Sequence, residues 1–185
     1  DLVVGTYGRG FWILDDLAPI QQMTEEVMRS SSHLFDLRDA YRFRPITPPS
    51  VPYSDPTEGQ DPEYGASINY WLGQPAASSP TIEIVDEMGS VVRTLKGTNH
   101  TGVNRIHWDL ADESNGPIRL FTSPMYAEHM MVGEEGRPAP GGRQISILMP
   151  PGNYTVRLNV DGETHEQNLK VIKDPHSAGS EDDIT

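Results

Sequence analysis

The sequence contains no cysteine, which excludes disulfide bonds, thiolate-bound metals and a cysteine nucleophile. Basic residues are also scarce: 14 Lys and Arg stand against 27 Asp and Glu, so the formal net charge is −13. Such an acidic chain repels phosphate backbones and anionic membrane surfaces, so nucleic acid is not an expected partner. No apolar run approaches the roughly 18 residues of a membrane-spanning helix, and no membrane span is expected.

The composition indicates many short elements around one core. Apolar residues make up 36% and aromatic residues 8% of the 185 residues, which is enough for a compact domain. Glycine and proline occur 17 and 16 times, and both favour turns over long helices. Strands do not alternate with long helical segments, so the sequence predicts an all-β fold.

The clearest pattern is a strict alternation of apolar and polar residues in "NYTVRLNVDGETHEQNLKVI". Positions 154, 156, 158 and 160 are apolar, and Asp161-Gly162 is a preferred two-residue hairpin turn. Similar runs occur in "ASINYWL", "TIEIVDEMGSVVRTL" and "GVNRIHWDL". Because period-two alternation is typical of antiparallel sheets with one wet face, we expect an immunoglobulin-like antiparallel β-sandwich. Leu169 and Val171 are expected to point inward, and His107 and His165 outward.

These patterns divide the chain into four segments. Residues 1–45 hold two short strands and a short helix, and residues 46–63 form a proline-rich linker. The β-sandwich is expected to span residues 64–175. Residues 176–185 contain Ser180 three positions before Asp183, the pattern of a helix start, so they are expected to begin a further segment of a chain that is cut at both ends.

The glycines of "LVVGTYGRGFWILDDL" near the start allow two interpretations. A phosphate-binding loop requires a helix directly after the glycines, so that backbone amides meet the anion. An apolar, strand-like run follows Gly10 instead. This favours a tight β-turn between two strands, where glycine permits positive φ.

The same stretch resembles the closing blade of the bacterial sortilin-like, or BNR-repeat, β-propeller proteins, which carry a "G-T-(H/Y)-G-R-G-F-W-(I/V)-L-D-D" pattern. The resemblance continues in order through "HLFDLRDAYRF", "INYWL", "IEIVDEMGSVVRTL", "GVNRIHWDL", "PPGNYTVRLNVDGE" and "LKVIKDP". The later part is also similar to immunoglobulin-like domains that follow flagellar hook-capping and cell-surface modules, through Gly102, Asn104, Trp108 and Asp109 and the "PGNYTV" strand.

The resemblance implies the C-terminal region of a large exported protein that is periplasmic, cell-surface or secreted. Residues 1–45 would then be a segment of the last propeller blade, and the parent's own propeller would be the partner. Any functional residues of this glycosyl hydrolase-like family would lie in the propeller, so no catalytic residue is expected in this chain. We therefore expect a non-catalytic accessory or interaction module. The alternative is a carbohydrate-binding module attached to a BNR-type glycoside hydrolase.

Aromatic side chains supply one candidate binding site. Tyrosine and tryptophan rings can stack on sugars, but they also fill protein cores. The predicted glycan-stacking residues are Tyr64, Tyr70, Trp71 and Tyr126.

Oxygen-bearing side chains supply a candidate calcium site after the strand "GVNRIHWDL". Asp109, Asp112 and Asn115 are the residue types that bind calcium, although their spacing departs from the EF-hand pattern. A solvated turn is the alternative interpretation. No other cofactor is expected.

Overall fold

The computed structural model describes residues 1–8, 10–43, 62–113, 118–139, 146–180 and 183. Strands dominate these residues, which contain only two short helices, so the predicted all-β class is confirmed. Two compact units are present. The first comprises Asp1–Leu110 with Pro150–Thr185, and the second comprises Ala111–Met149.

The first 43 residues form four strands and two helices. The sequence predicts one helix in this segment, but the structure has two short ones. Pro19 lies in the first turn of the first helix. The Thr24 hydroxyl caps the second by accepting a hydrogen bond from the Val27 amide at 3.2 Å. The elements are β1 (Leu2–Thr6), β2 (Gly10–Leu14), α1 (Ala18–Gln21), α2 (Glu25–Arg29), β3 (Ser32–Leu34) and β4 (Ala40–Arg42).

The elements described after residue 43 are strands, most of which follow the alternating runs of the sequence. They are β5 (Ala66–Leu72), β6 (Thr81–Val85), β7 (Val91–Lys96), β8 (Gly102–Trp108), β9 (Arg119–Leu120), β10 (Arg137–Pro138), β11 (Gly152–Val160) and β12 (Glu163–Lys173). In the second unit, β9 and β10 pair as a two-stranded sheet.

The described residues of the first unit form three sheets. The largest has the strand order β4-β12-β11-β6-β7, the next has the order β3-β5-β8, and β1 pairs with β2 alone. Within them, β4 runs parallel to β12 and every other named pair is antiparallel. The two larger sheets thus combine strands from two predicted segments. Strands β3 and β4 come from residues 1–45, and the other strands come from residues 64–175. Residues 46–61 of the predicted linker lie outside the described residues.

The pairing of β11 with β12 forms the predicted hairpin. Nine residue pairs connect the strands, from Gly152 opposite Val171 to Val160 opposite Glu163. Asp161 and Gly162 connect them with φ angles of +46° and +90°, and two consecutive positive φ angles are what a type I′ turn requires. The predicted turn is confirmed.

Apolar side chains from both larger sheets supply the buried core. The Trp108 ring of β8 meets the Tyr154 ring of β11 edge to face, with centroids 5.3 Å apart. The Tyr154 hydroxyl donates to the Pro150 carbonyl at 2.7 Å, and burial raises its pKa to about 12. Other fully buried side chains of the two sheets are Ile68, Leu72, Ile82, Ile84, Val156 and Leu158.

The outward prediction for His165 is wrong. On a strand, alternate residues share a face, so His165 lies on the same face of β12 as the buried Leu169 and Val171. It is partly buried, and its Nε2 atom lies 2.8 Å from the hydroxyl of the buried Ser32.

Replacing Leu158 tests this core. Leu158→Ala should lower the free energy of unfolding by about 2–5 kcal/mol, the usual range for a fully buried leucine. Val91→Ala, on the exposed side of β7, should change it by less than about 1 kcal/mol. Urea unfolding with an unchanged m-value measures both. Equal effects of the two substitutions would contradict the assignment of the core.

Candidate functional site

The opening residues form an isolated two-stranded hairpin. Five residue pairs join β1 to β2, from Leu2 opposite Leu14 to Thr6 opposite Gly10. In the turn Gly8 has a φ of +70° and Gly10 a φ of +98°, and the Thr6 hydroxyl donates to the Gly10 carbonyl at 3.0 Å. A strand rather than a helix follows the glycines. This confirms the β-turn interpretation and removes the geometry that a phosphate loop needs.

The hairpin exposes apolar side chains on both of its faces. Phe11 and Trp12 are consecutive residues and therefore point to opposite faces, yet 81% and 69% of their surfaces are exposed. Contiguous exposed apolar surface is typical of interaction sites. The large exposed side chains of the hairpin are Leu2, Val3, Val4, Tyr7, Phe11, Trp12, Ile13 and Leu14.

Asp16 attaches the end of β2 to the three-stranded sheet. It is only 8% exposed and has a φ of +55°, a conformation that aspartate tolerates better than most side chains. One carboxylate oxygen accepts a hydrogen bond from the Asn69 amide at 2.7 Å, and the other accepts from the Ala18 backbone at 3.2 Å. The buried carboxylate thus has partners on α1 and on β5.

Arg105 completes the attachment from β8. It lies opposite Asn69 in the register of β5 and β8, and its Nε donates to the Asn69 side-chain oxygen at 2.7 Å. Its Nη2 donates to the Asp16 carbonyl at 3.0 Å and lies 3.8 Å from the Asp16 carboxylate. Three side chains that are far apart in sequence therefore form one polar cluster at the base of the hairpin.

A cavity of about 200 Å³ adjoins this cluster. It brings Asp15 and Asp16 together with two arginines and further carboxylates, and the His107 ring lies 2.6 Å from the Glu63 carboxylate. Because Asp16 accepts hydrogen bonds from Asn69 and from the backbone, its carboxylate has a structural role. The cavity is smaller than the roughly 300–1,000 Å³ of typical small-molecule sites.

The predicted glycan-stacking residues have very different surroundings. Tyr70 is fully buried, its hydroxyl donates to the Thr98 carbonyl, and burial raises its pKa. It therefore has no ring face free for a sugar. Trp71, the next residue of β5, points to the opposite face of the strand and is half-buried.

Tyr64 is half-buried, and its ring packs against Phe43 with centroids 4.7 Å apart. Burial raises the pKa of Tyr64 as well. Tyr126 belongs to the second unit, and 95% of its surface is exposed. A stacking role for Tyr64, Trp71 and Tyr126 stays a prediction.

The predicted calcium ligands lie in different units. Asp109 follows β8 in the first unit, and its carboxylate lies 4.0 Å from Arg93. Asp112 belongs to the second unit, where its carboxylate accepts a hydrogen bond from the Ile147 amide at 2.7 Å. Asn115 lies outside the described residues. Among the described residues, no group of three or more His, Asp or Glu side chains has an arrangement suited to a metal, and the calcium site stays a prediction.

The role of Asn69 and Arg105 is not predicted by the sequence pattern. One signal was available: Asn69 interrupts the apolar run "ASINYWL", and a buried amide requires a partner. The partners themselves depend on the pairing of β5 with β8, which the pattern does not specify.

Comparison with protein-family models, with curated proteins and with solved structures gives no match for this chain. Within the described ranges, no helix is long and apolar enough to cross a membrane.

Removing the Asp16 carboxylate tests the attachment of the hairpin. Asp16→Ala leaves the buried Asn69 amide with only the longer hydrogen bond to the Ser67 hydroxyl at 3.3 Å and places alanine at positive φ, so the free energy of unfolding should fall by about 1–3 kcal/mol. Hydrogen exchange at residues 14–18 should also become faster. Asp39→Ala, an exposed residue lining the same cavity, should change stability by no more than about 0.5 kcal/mol. An equal effect at both positions would show that Asp16 has no special role.

Proposed function

We propose that this chain is a non-catalytic interaction module whose β1–β2 hairpin docks into the β-sheet of a propeller-type partner. The observation that carries the proposal is the exposed apolar hairpin held by the Asp16 cluster. In the resemblance drawn from the sequence, that partner is the propeller of a sortilin-like, BNR-repeat protein. The docked hairpin would connect the propeller to the two larger sheets of this chain.

Both the edges and the faces of the hairpin favour a sheet as the partner. Each outer edge of a two-stranded hairpin has backbone N–H and C=O groups that can pair with a further strand. Phe11 and Trp12 make its two faces apolar, so a partner must cover both. In a β-propeller each blade is a sheet packed between two neighbouring blades, which provides strands at the edge and cover on both faces.

The area of the surface supports a protein partner, and the charge of the chain argues against a second copy of itself. Tyr7, Phe11 and Trp12 would together bury roughly 450–750 Å², at about 150–250 Å² for each aromatic side chain. A stable interface of standard size buries about 800 Å² on each partner. A second copy of the chain fits less well because two molecules with a formal charge of −13 repel each other.

We further propose that the five-stranded and three-stranded sheets form an immunoglobulin-like β-sandwich. The contact between Trp108 and Tyr154 supports this arrangement, as does the hydrogen bond from the Gln167 amide to the Leu34 carbonyl at 3.4 Å. Each contact joins a strand of one sheet to a strand of the other. Such a sandwich would be a rigid base for the hairpin.

Site-specific photo-crosslinking tests the docking proposal. A benzophenone amino acid replaces Trp12 in the full chain, expressed in the organism that carries the gene. Crosslinked peptides should map to the strands of a β-propeller, in the same polypeptide or in a second one. The control position is Met88, an exposed turn residue of the first unit, which should give no such crosslinks.

Two outcomes would contradict the proposal. Crosslinks from position 12 that map only to a second copy of this chain would indicate self-association. No crosslink above the level at position 88 would indicate that the hairpin does not dock. An antibody against residues 64–175 applied to cell and culture fractions would in addition test export, which the resemblance implies.

The exposure of Tyr126 favours a second candidate function, that of a carbohydrate-binding module. If Tyr126 stacks on sugars, the chain should be retarded in gels containing a polysaccharide that it binds. Tyr126→Ala should weaken the retardation because it removes the stacking ring. Tyr41→Ala, another exposed tyrosine, is the control. The absence of retardation across a broad polysaccharide panel would exclude this function.

A further inference from the structure

The loop between β9 and β10 carries three of the seven methionines of the chain within seven consecutive residues. They are Met125, Met130 and Met131 in the run "MYAEHMM", which also contains His129. Their exposed fractions are 79%, 53% and 96%, and His129 is exposed as well. Methionine usually fills irregular gaps in a protein core, so core packing does not explain three exposed methionines in one loop.

Hydrogen bonds close this part of the loop into a ring. Two consecutive turns form it: the Ala127 amide donates to the Pro124 carbonyl at 3.0 Å, and the Met130 amide donates to the Ala127 carbonyl at 2.9 Å. The Ser123 hydroxyl then donates to the Met130 carbonyl at 3.0 Å. Positions 125, 129 and 130 therefore lie in one closed ring, and position 131 follows it directly.

The pairing of β9 with β10 holds the two ends of the loop together. Leu120 lies opposite Arg137, and the Ala139 amide donates to the Ile118 carbonyl at 3.0 Å. The Arg137 Nε also donates to the Thr122 carbonyl at 2.7 Å. A ligand that binds the ring does not have to order an open segment, which lowers the entropic cost of binding.

The side chains of the ring offer soft donor atoms. A thioether sulfur favours Cu(I), whereas imidazole suits copper as well as zinc, iron and nickel. Copper is therefore the metal that both kinds of ligand share. The chain has no cysteine, which excludes a zinc site with thiolate ligands, and His129 is the single histidine of this loop. One imidazole does not supply the several nitrogen, oxygen or thiolate ligands that zinc needs.

We propose that Met125, His129, Met130 and Met131 form a binding site for one Cu(I) ion. This inference goes beyond the docking function and does not depend on it. Methionine side chains are unbranched and rotate about three bonds, so sulfurs at neighbouring positions of the ring can converge on an ion. Cu(I) has a filled d shell, as Zn²⁺ has, and the d electrons impose no geometry. Such an ion suits flexible ligands.

The charge around the ring favours a cation. Glu128 lies in the ring, Glu134 and Glu135 follow it, and all three are exposed. Their negative potential attracts a positive ion. Carboxylate oxygens suit Mg²⁺, Ca²⁺ and Mn²⁺ rather than a soft ion, so the glutamates contribute charge and the methionines with His129 contribute the ligands.

Competition for Cu(I) tests the site. The full chain is titrated, without oxygen and with ascorbate as reductant, into the coloured Cu(I) complex of the chelator ferrozine. The colour should fade until one ion per chain has been transferred. Zn²⁺ and Ca²⁺, each added alone to the chain, should not bind to this loop.

Four variants assign the transfer to the ring. Met130→Leu keeps the volume and the apolar character but removes the sulfur, and it should weaken Cu(I) binding by at least about tenfold. His129→Gln should weaken it to a similar extent. The combined variant Met125→Leu, Met130→Leu and Met131→Leu should transfer no ion. Because these side chains are exposed, none of the substitutions should disturb folding.

Met88→Leu is the matched control. Met88 is 89% exposed in the turn between β6 and β7, and no other methionine and no histidine lies within ten positions of it in the sequence. This variant should bind Cu(I) like the parent chain.

A second measurement does not depend on the chelator. Ag⁺ resembles Cu(I) in charge and softness, and its binding is followed by NMR of isotope-labelled methionine methyl groups. The signals of Met125, Met130 and Met131 should shift together on addition of Ag⁺, while that of Met88 should stay in place.

Three results would overturn the proposal. The first is a chain that takes no Cu(I) from ferrozine and shows no methyl shift with Ag⁺, which would leave the three methionines as apolar surface. The second is undiminished transfer in the combined leucine variant, or an equal loss in Met88→Leu. The third is binding of Zn²⁺ or Ca²⁺ at this loop as tight as that of Cu(I), because the imidazole or the carboxylates would then be the ligands.

Discussion

The antiparallel pairing of β11 with β12 is the constraint on which the rest of the first unit depends. Both strands are interior strands of the five-stranded sheet, so β6 pairs with the outer edge of β11, and β4 pairs with the outer edge of β12. The turn at Asp161 and Gly162 fixes the register, and a slip of one residue would move Val156 and Leu158 out of the core. The hairpin thus presents the two edges to which β6 and β4 pair.

Buried polar groups provide the connections that apolar packing leaves open. Asn69 and Asp16 are both buried, and Arg105 joins them, which fixes where the chain enters the three-stranded sheet. Ser32 is also buried and fixes where β3 meets β12. Hydrogen bonds of this kind contribute about 1 kcal/mol each but are directional, and an unmade one costs more. They therefore select one arrangement of the short strands β3 and β4 among those that apolar packing alone would allow.

The sequence predicts what local patterns control. The alternation of Tyr154, Val156 and Leu158, the Asp161-Gly162 turn and the glycine turn between β1 and β2 all depend on neighbouring residues, and the structure has each of them. The three-residue strands β3 and β4 are different because their pairing partners are distant in sequence, and their own composition does not name those partners. The core-facing position of His165 follows from strand alternation, because His165 and Leu169 are an even number of residues apart. Its polar side chain nevertheless suggests the solvent face unless its hydrogen-bonding partner, Ser32, is known.

The β1–β2 hairpin shows the limit of local information most clearly. Its turn chemistry and apolar strands specify the hairpin itself, but a lone two-stranded hairpin is only marginally stable in water. Two contributions to the free energy of the hairpin oppose each other. Asp16, held at positive φ by Asn69 and Arg105, ties one end of the hairpin to a folded sheet, while exposed Phe11 and Trp12 gain nothing from remaining in water. Under the proposed function, a partner sheet buries the two rings, and the free energy of that burial adds to the attachment at the base of the hairpin.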